Sequence, residues 1–196
     1  MSRLPEIGDT LATLPLRTVE AGAQFYRVSD IAHPSCIYYS RSPESRWTPK
    51  GGAIGVCYLA QTQVGALAET VCRNSVYLRD DERVSSLYDL HQRGMYRLGV
   101  VAAINVLDLT VSNLVKYRLD AEIMADYDKT ASPPYRFCPT WAAHAVDLGL
   151  GGILFRSRHC VDQVCLALFQ DRTALLELPQ GHLDEARYLR LLDDEF

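Results

Sequence analysis

The chain has 196 residues, 48% of them hydrophobic, and a formal net charge of −4. These values suit one compact domain with a buried core, and the negative charge argues against a nucleic-acid-binding surface. No segment approaches the roughly 20 apolar residues that a membrane span requires, and the N-terminus lacks the basic and apolar segments of a signal peptide.

The predicted elements follow an N-terminal lead-in of residues 1–20. Short segments rich in aromatic and β-branched residues predict strands, and Thr62 is a typical N-cap residue that begins a predicted helix. The first strands are predicted at 24–28, 36–40 and 54–60, and the helix from Thr62 through residue 74.

The second half of the chain contains more of both element types. One buried strand and its exit are predicted at 95–109, followed by a helix at 111–127 and a proline-containing loop at 128–135. A second helix is predicted from Pro139 to Gly149 or Gly151. Strands at 152–157 and 163–169 and an amphipathic helix at 183–192 complete the chain. Because strands and helices do not alternate strictly, this order predicts a single α+β domain over residues 21–196. Its central mixed β-sheet is expected to be flanked by helices.

The six cysteines indicate the cellular compartment. They form no CxxC pair, and most of them lie in apolar segments. Such cysteines are typical of buried free thiols in a reducing cytosol. We therefore expect a cytoplasmic protein without a metal site. The neighbouring His159 and Cys160 do not change this expectation, since adjacent strand residues point to opposite faces and no second ligand lies at metal-binding spacing.

Three residues between positions 46 and 70 are candidates for chemistry. Arg46 stands at a glycine-containing corner, Tyr58 on a predicted strand and Glu69 on a predicted helix. Spacing alone favours a solvated carboxylate for Glu69 and a core position for Tyr58. Arg27 lies inside another predicted strand, where its side chain faces either solvent or a pocket.

Four motifs in order, FYRV, SRWTPKGG, YLAQTQVGALAE and GGILFRSR, resemble the RES domain family from about residue 21 to 169. The resemblance implies a toxin of a bacterial Xre/RES-type toxin–antitoxin pair that degrades NAD+ by hydrolysis or phosphorolysis. It also implies a fold similar to that of diphtheria-toxin-like ADP-ribosyltransferases.

The resemblance also assigns roles to residues. It implies catalytic roles for Glu69, Arg46 and Tyr58, and NAD+-binding roles for Arg27, Tyr26, Arg46, Tyr58, Thr140 and Ser157. Thr48 departs from the family pattern, because many members have asparagine at this position, and threonine cannot replace the hydrogen bonds of an amide.

The implied substrate is NAD+, with inorganic phosphate as an optional co-substrate and no metal. The implied partner is a small helix-turn-helix (Xre-like) antitoxin, and the amphipathic C-terminal helix also allows a homodimer. Two alternatives remain open. One is an ADP-ribosyltransferase that modifies a protein target, and the other is a non-catalytic NAD-binding or interaction module.

Overall fold

The computed structural model describes residues 14–71, 76–77, 83–84, 90–111, 126–170, 175–182 and 184–193. The strands are β1 (Leu16–Val19), β2 (Gln24–Asp30), β3 (Val56–Ala60), β4 (Val76–Tyr77), β5 (Arg83–Val84), β6 (Arg93–Val100), β7 (Ile104–Asp108), β8 (Gly152–Arg156), β9 (Val164–Phe169) and β10 (Leu175–His182). The helices are α1 (Gln63–Thr70), α2 (Cys138–Asp147) and α3 (Glu185–Asp193).

Eight of the strands form one mixed sheet in the order β1-β7-β8-β9-β3-β2-β6-β10. Strands β7 and β8 are parallel, and the other neighbouring pairs are antiparallel. Strands β4 and β5 form a separate antiparallel pair. The predicted single α+β domain with a central mixed sheet is confirmed. Its likeness to diphtheria-toxin-like ADP-ribosyltransferases stays a prediction.

The two faces of the sheet are buried by different parts of the chain. On one face, residues of α1 and α2 form one buried cluster with Val56 and Ala60 of β3, and the Tyr58 ring packs against this cluster. On the opposite face, Cys57 and Leu59 belong to a second cluster. Strand β3 therefore follows the two-residue alternation of a strand, because successive strand residues point to opposite faces.

Helix α1 lies close to the sheet because of its first turn. The Thr62 hydroxyl accepts a hydrogen bond from the Gly65 N–H at 2.9 Å, which is the predicted N-cap. A Cβ atom on Gly65 would lie 3.1 Å from the Cβ of Ala60, so glycine allows the close approach to β3. The helix ends at Thr70 rather than at residue 74.

The strand predicted at 36–40 is wrong. Only Ser40 pairs with a strand residue, through two backbone hydrogen bonds to Val56. The carbonyl of Tyr38 accepts a hydrogen bond from the Arg27 side chain. The aromatic composition of this segment reflects packing on the sheet, since Ile37 and Tyr39 pack against the second cluster.

The single strand predicted at 95–109 is also wrong, because the structure contains two strands there. Strands β6 and β7 are separated by residues 101–103 and lie five places apart in the sheet. An apolar run indicates burial but not where the chain turns. Strand β1 extends the sheet into the segment predicted as a lead-in, and most of the helix predicted at 111–127 lies outside the described residues.

The predicted strands at 24–28, 152–157 and 163–169 correspond to β2, β8 and β9, and the predicted helices beginning near 139 and 183 correspond to α2 and α3. Gly149 follows α2 with a φ of +75°, a conformation that suits glycine after a helix end. Among the described residues, none of the helices combines the length and hydropathy needed to cross a membrane.

Candidate active site

A cleft of about 330 Å³ lies where β2 and β3 separate. The two strands are paired only at Tyr26 and Ala60. If the antiparallel pairing continued, Arg27 would lie opposite Leu59, but these two residues do not pair. Residues of both strands and of both sheet faces therefore line the same opening.

The cleft is more positive than the protein as a whole. Among the described residues, its charged lining consists of the side chains of Arg27, Arg46, Arg93, Arg158, Asp30 and Glu69. Four guanidinium groups therefore face two carboxylates in a chain whose net charge is −4. A concave site with excess positive charge concentrates anionic ligands.

Glu69 lies near the end of α1 and lines the cleft together with Ala66, one turn earlier on the helix. Its side chain is partly exposed. Within the described part of the chain, its carboxylate makes no hydrogen bond and no ion pair. Both carboxylate oxygens are therefore available to a ligand in the cleft.

Arg46 is held at the base of the cleft by packing. The residue is 7% exposed, and its guanidinium carbon lies 5.0 Å from the Trp47 ring centroid and 5.4 Å from that of Phe155. Its Nε donates to the Cys138 sulfur at 3.5 Å. These contacts to two rings and to α2 fix the position of the guanidinium. Arg46 still lines the cleft.

Arg27 bridges the separated strands from the opposite face of the sheet. Its guanidinium donates to the Tyr38 carbonyl at 3.1 Å and to the sulfur of Cys57 on β3. Burial raises the pKa of the Cys57 thiol, and the neighbouring Arg27 charge only partly offsets this. Arg27 thus contacts a neutral thiol and remains a net positive charge at the edge of the cleft.

Tyr58 forms a wall of the cleft. Its hydroxyl oxygen accepts a hydrogen bond from the backbone N–H of Trp47 at 2.7 Å, and its ring meets Phe155 edge to face, with the ring centroids 6.4 Å apart. Burial raises the pKa of the Tyr58 hydroxyl, which is neutral at physiological pH and cannot serve as a base. Tyr26 lines the same cleft from β2.

The structure does not bring the other two predicted residues into this cleft. Ser157 is fully buried, and its hydroxyl accepts hydrogen bonds from the N–H groups of His159 and Cys160 at 3.1 and 3.2 Å. Thr140 lines a separate cavity of about 930 Å³ together with Thr48. Five of the seven predicted residues therefore line one cleft: Tyr26, Arg27, Arg46, Tyr58 and Glu69.

Sequence reasoning missed several cleft residues. Asp30, His33, Arg93, Tyr135 and Arg158 line the cleft, and none was singled out. Arg158 is the last residue of the fourth motif, so its place beside Ser157 is the sequence signal that points to it. No sequence signal marks Arg93 or Tyr135. His159 lines the cleft too, but the described residues contain no group of three or more potential metal ligands.

The buried thiols around the site predict how stability depends on pH. Burial raises the pKa of the Cys138 thiol to about 12, and burial also raises the pKa of Cys165. The unfolded chain releases these protons near pH 8.5. The folded state then binds more protons than the unfolded state, so the free energy of unfolding falls as pH rises above that value.

We expect each such thiol to lower the free energy of unfolding by about 2 kcal/mol between pH 8.5 and pH 10. Urea unfolding at pH 8, 9 and 10 in reducing buffer measures this dependence. The variant C138A removes one of the titrating groups and should show a shallower decline. An equal decline in C138A and the unmodified protein would contradict the assignment to this thiol.

Comparisons with known proteins identify the family and a similar fold. The RES domain family model matches residues 24–190. Among solved structures, one chain in the crystal structure of the M. tuberculosis MbcT-MbcA toxin-antitoxin complex is similar, with a TM-score of 0.60 and 19% sequence identity. The match covers 89% of this chain and 91% of that one. No curated protein matches the sequence.

Proposed function

Because the chain belongs to the RES domain family, we propose that it is a toxin enzyme that cleaves the nicotinamide–ribose bond of NAD+. The observation that carries this proposal is the position of Glu69. Its carboxylate, without a hydrogen bond or ion pair among the described residues, faces a cleft lined with guanidinium groups and aromatic rings. Such a cleft suits a ligand that combines an anionic pyrophosphate with planar rings.

The arginines and tyrosines account for substrate binding. A pyrophosphate carries two negative charges, and guanidinium groups bind it through forked, charge-assisted hydrogen bonds. Arg46 and Arg27 supply such charge at the base and the edge of the cleft. The Tyr58 and Tyr26 rings offer surfaces on which the nicotinamide ring can pack.

Glu69 accounts for the rate of bond cleavage. The bond between C1′ of the ribose and the nicotinamide nitrogen breaks, and nicotinamide leaves as a neutral molecule with the bonding electrons. The ribose acquires oxocarbenium character, and the carboxylate of Glu69 stabilises this positive charge, which exists only near the transition state. A water or phosphate oxygen then forms the new bond to C1′, and an attacking water releases its proton to solvent.

The proposed setting is the cytoplasm, where NAD+ is available and where such activity harms the host. A protein partner is therefore required to restrain the enzyme. The similar M. tuberculosis chain was crystallised in a toxin-antitoxin complex, which supports a dedicated antitoxin, and we propose a small Xre-like helix-turn-helix protein.

Incubation of the purified protein with NAD+ tests the proposal. Nicotinamide release, followed by chromatography in buffers with and without phosphate, is the expected result. Product masses distinguish ADP-ribose from its phosphorylated form. Unchanged NAD+ in both buffers would contradict an NAD+-consuming enzyme and favour the non-catalytic module. Labelled protein in a lysate supplied with labelled NAD+ would instead favour the transferase.

A further inference from the structure

Arg158 projects from the turn between β8 and β9 and is held by two tyrosine rings. Its guanidinium carbon lies 4.3 Å from the Tyr127 ring centroid and 5.6 Å from the Tyr135 ring centroid. These two rings contact each other at 5.5 Å. Stacking on ring faces restrains a guanidinium but uses none of its five N–H donors, which point outward in its plane.

Two other arginines of the cleft already use some of these donors. The Nε of Arg46 donates to Cys138, and an N–H of Arg27 donates to Cys57 and Tyr38. Arg158 makes no hydrogen bond or ion pair within the described ranges, although it is partly exposed and lines the cleft. It therefore presents an ordered cation whose hydrogen-bonding capacity is available to an anion.

The buried hydroxyl of Ser157 fixes the turn that carries Arg158. It accepts hydrogen bonds from the two N–H groups that follow Arg158, those of His159 and Cys160. The Ser157 N–H in turn donates to the Gln163 carbonyl at 2.9 Å, which closes the base of the turn. Ser157 is fully buried and does not line the cleft, so its hydroxyl can affect a ligand only through this turn.

We propose that Arg158 is a phosphate-binding residue of the cleft, that together with Arg46 and Arg27 it binds the pyrophosphate of the dinucleotide, and that Ser157 is a positioning residue that acts through Arg158. The identity of the dinucleotide rests on the proposed function, whereas the anion site rests on the contacts of Arg158 alone. The carboxylate of Glu69 and the guanidinium of Arg158 line the same cleft. One substrate can therefore contact both groups.

The test is calorimetric binding of inorganic pyrophosphate to the full chain at low ionic strength. R158Q should raise the dissociation constant at least about 10-fold, because the charge-assisted hydrogen bonds of the guanidinium are lost. R136Q is the matched control, since Arg136 is exposed, stacks on Phe137 at 5.3 Å and does not line the cleft. It should change the constant less than about twofold. The proposal would be overturned if pyrophosphate did not bind to the unmodified protein, or if it bound equally well to R158Q.

The role of Ser157 is tested by a double-mutant cycle. S157A should weaken pyrophosphate binding in the unmodified background and have no further effect in the R158Q background, since a positioning residue acts only through its partner. Equal weakening in both backgrounds would overturn the positioning role. If S157A fails to fold, S157C replaces it in the same cycle. Two Tyr127 variants test the stacking of Arg158 separately. Y127L should weaken binding, Y127F should retain it, and equal binding by both would overturn the stacking argument.

NAD+ turnover separates this inference from the proposed function. Pyrophosphate binding that depends on Arg158, without any NAD+ consumption, would support the anion site and contradict the enzyme. NAD+ consumption with the same KM in R158Q and the unmodified protein would support the enzyme and contradict the assignment of Arg158.

Discussion

Glu69→Gln is expected to lower kcat for NAD+ consumption by about 10²- to 10³-fold, while changing the dissociation constant for NAD+ by less than about threefold. The amide keeps the shape of the side chain and one hydrogen-bond acceptor but removes the negative charge. That charge matters most when positive charge develops on the ribose, so its loss raises the transition state more than the bound ground state.

Single-turnover kinetics together with NAD+ binding by calorimetry measure the two effects separately. Glu44→Gln is the control, because Glu44 is exposed, accepts a hydrogen bond from the Ser132 hydroxyl and does not line the cleft. This variant should retain the kcat of the unmodified protein. Full turnover in Glu69→Gln would show that Glu69 is an ordinary helix carboxylate.

Asp126→Ala is expected to lower the free energy of unfolding by about 3–5 kcal/mol, because each hydrogen bond to a buried charged group contributes roughly 1.5–3 kcal/mol and orphaned donors cost more. The Asp126 carboxylate is 7% exposed and accepts hydrogen bonds from the N–H groups of Arg136, Phe137 and Cys138 at 2.9, 2.8 and 2.7 Å. Helix α2 begins at Cys138, and its N-cap Phe137 provides no side-chain acceptor. Asp126 therefore caps α2 from outside the helix. Its negative charge also interacts favourably with the partial positive charge at the N-terminus of α2.

Urea unfolding measures this loss, and Asp128→Ala is the matched control. The Asp128 carboxylate also accepts hydrogen bonds, from the N–H and the hydroxyl of Thr130, but the residue is exposed. Its replacement should leave the free energy of unfolding nearly unchanged. Equal effects of the two substitutions would contradict the capping role of Asp126. Since Cys138 contacts Arg46, we also expect Asp126→Ala to weaken NAD+ binding.

The predicted site residues agree with the structure where the sequence pattern is local. Tyr58 follows the two-residue alternation of β3, and Thr62 supplies the N-cap that begins α1. These two local features place Glu69 at the end of a short helix packed on β3. Motif order was sufficient to identify the RES domain family, which the family model confirms over residues 24–190.

Which of the predicted residues line one cleft could be seen only in the tertiary structure. Arg27 and Tyr26 are neighbours on β2, so their side chains leave opposite faces of the sheet. They line one cleft only because β2 and β3 separate after a single pair. Ser157 follows β8 directly, yet its side chain turns inward to bond the next turn and does not reach the cleft.

The amino-acid sequence alone was enough to predict the α+β class, the principal strands and helices around the site, and the family. Each of these depends on residue type and on spacing within one segment, because burial of one strand or helix face imposes a local period. The strand order, the gap between β2 and β3, and the stacking of Arg158 on Tyr127 and Tyr135 became visible only in the folded protein. Those features join segments far apart in the chain, and their contacts depend on how backbone pairing and packing are satisfied across the whole sheet.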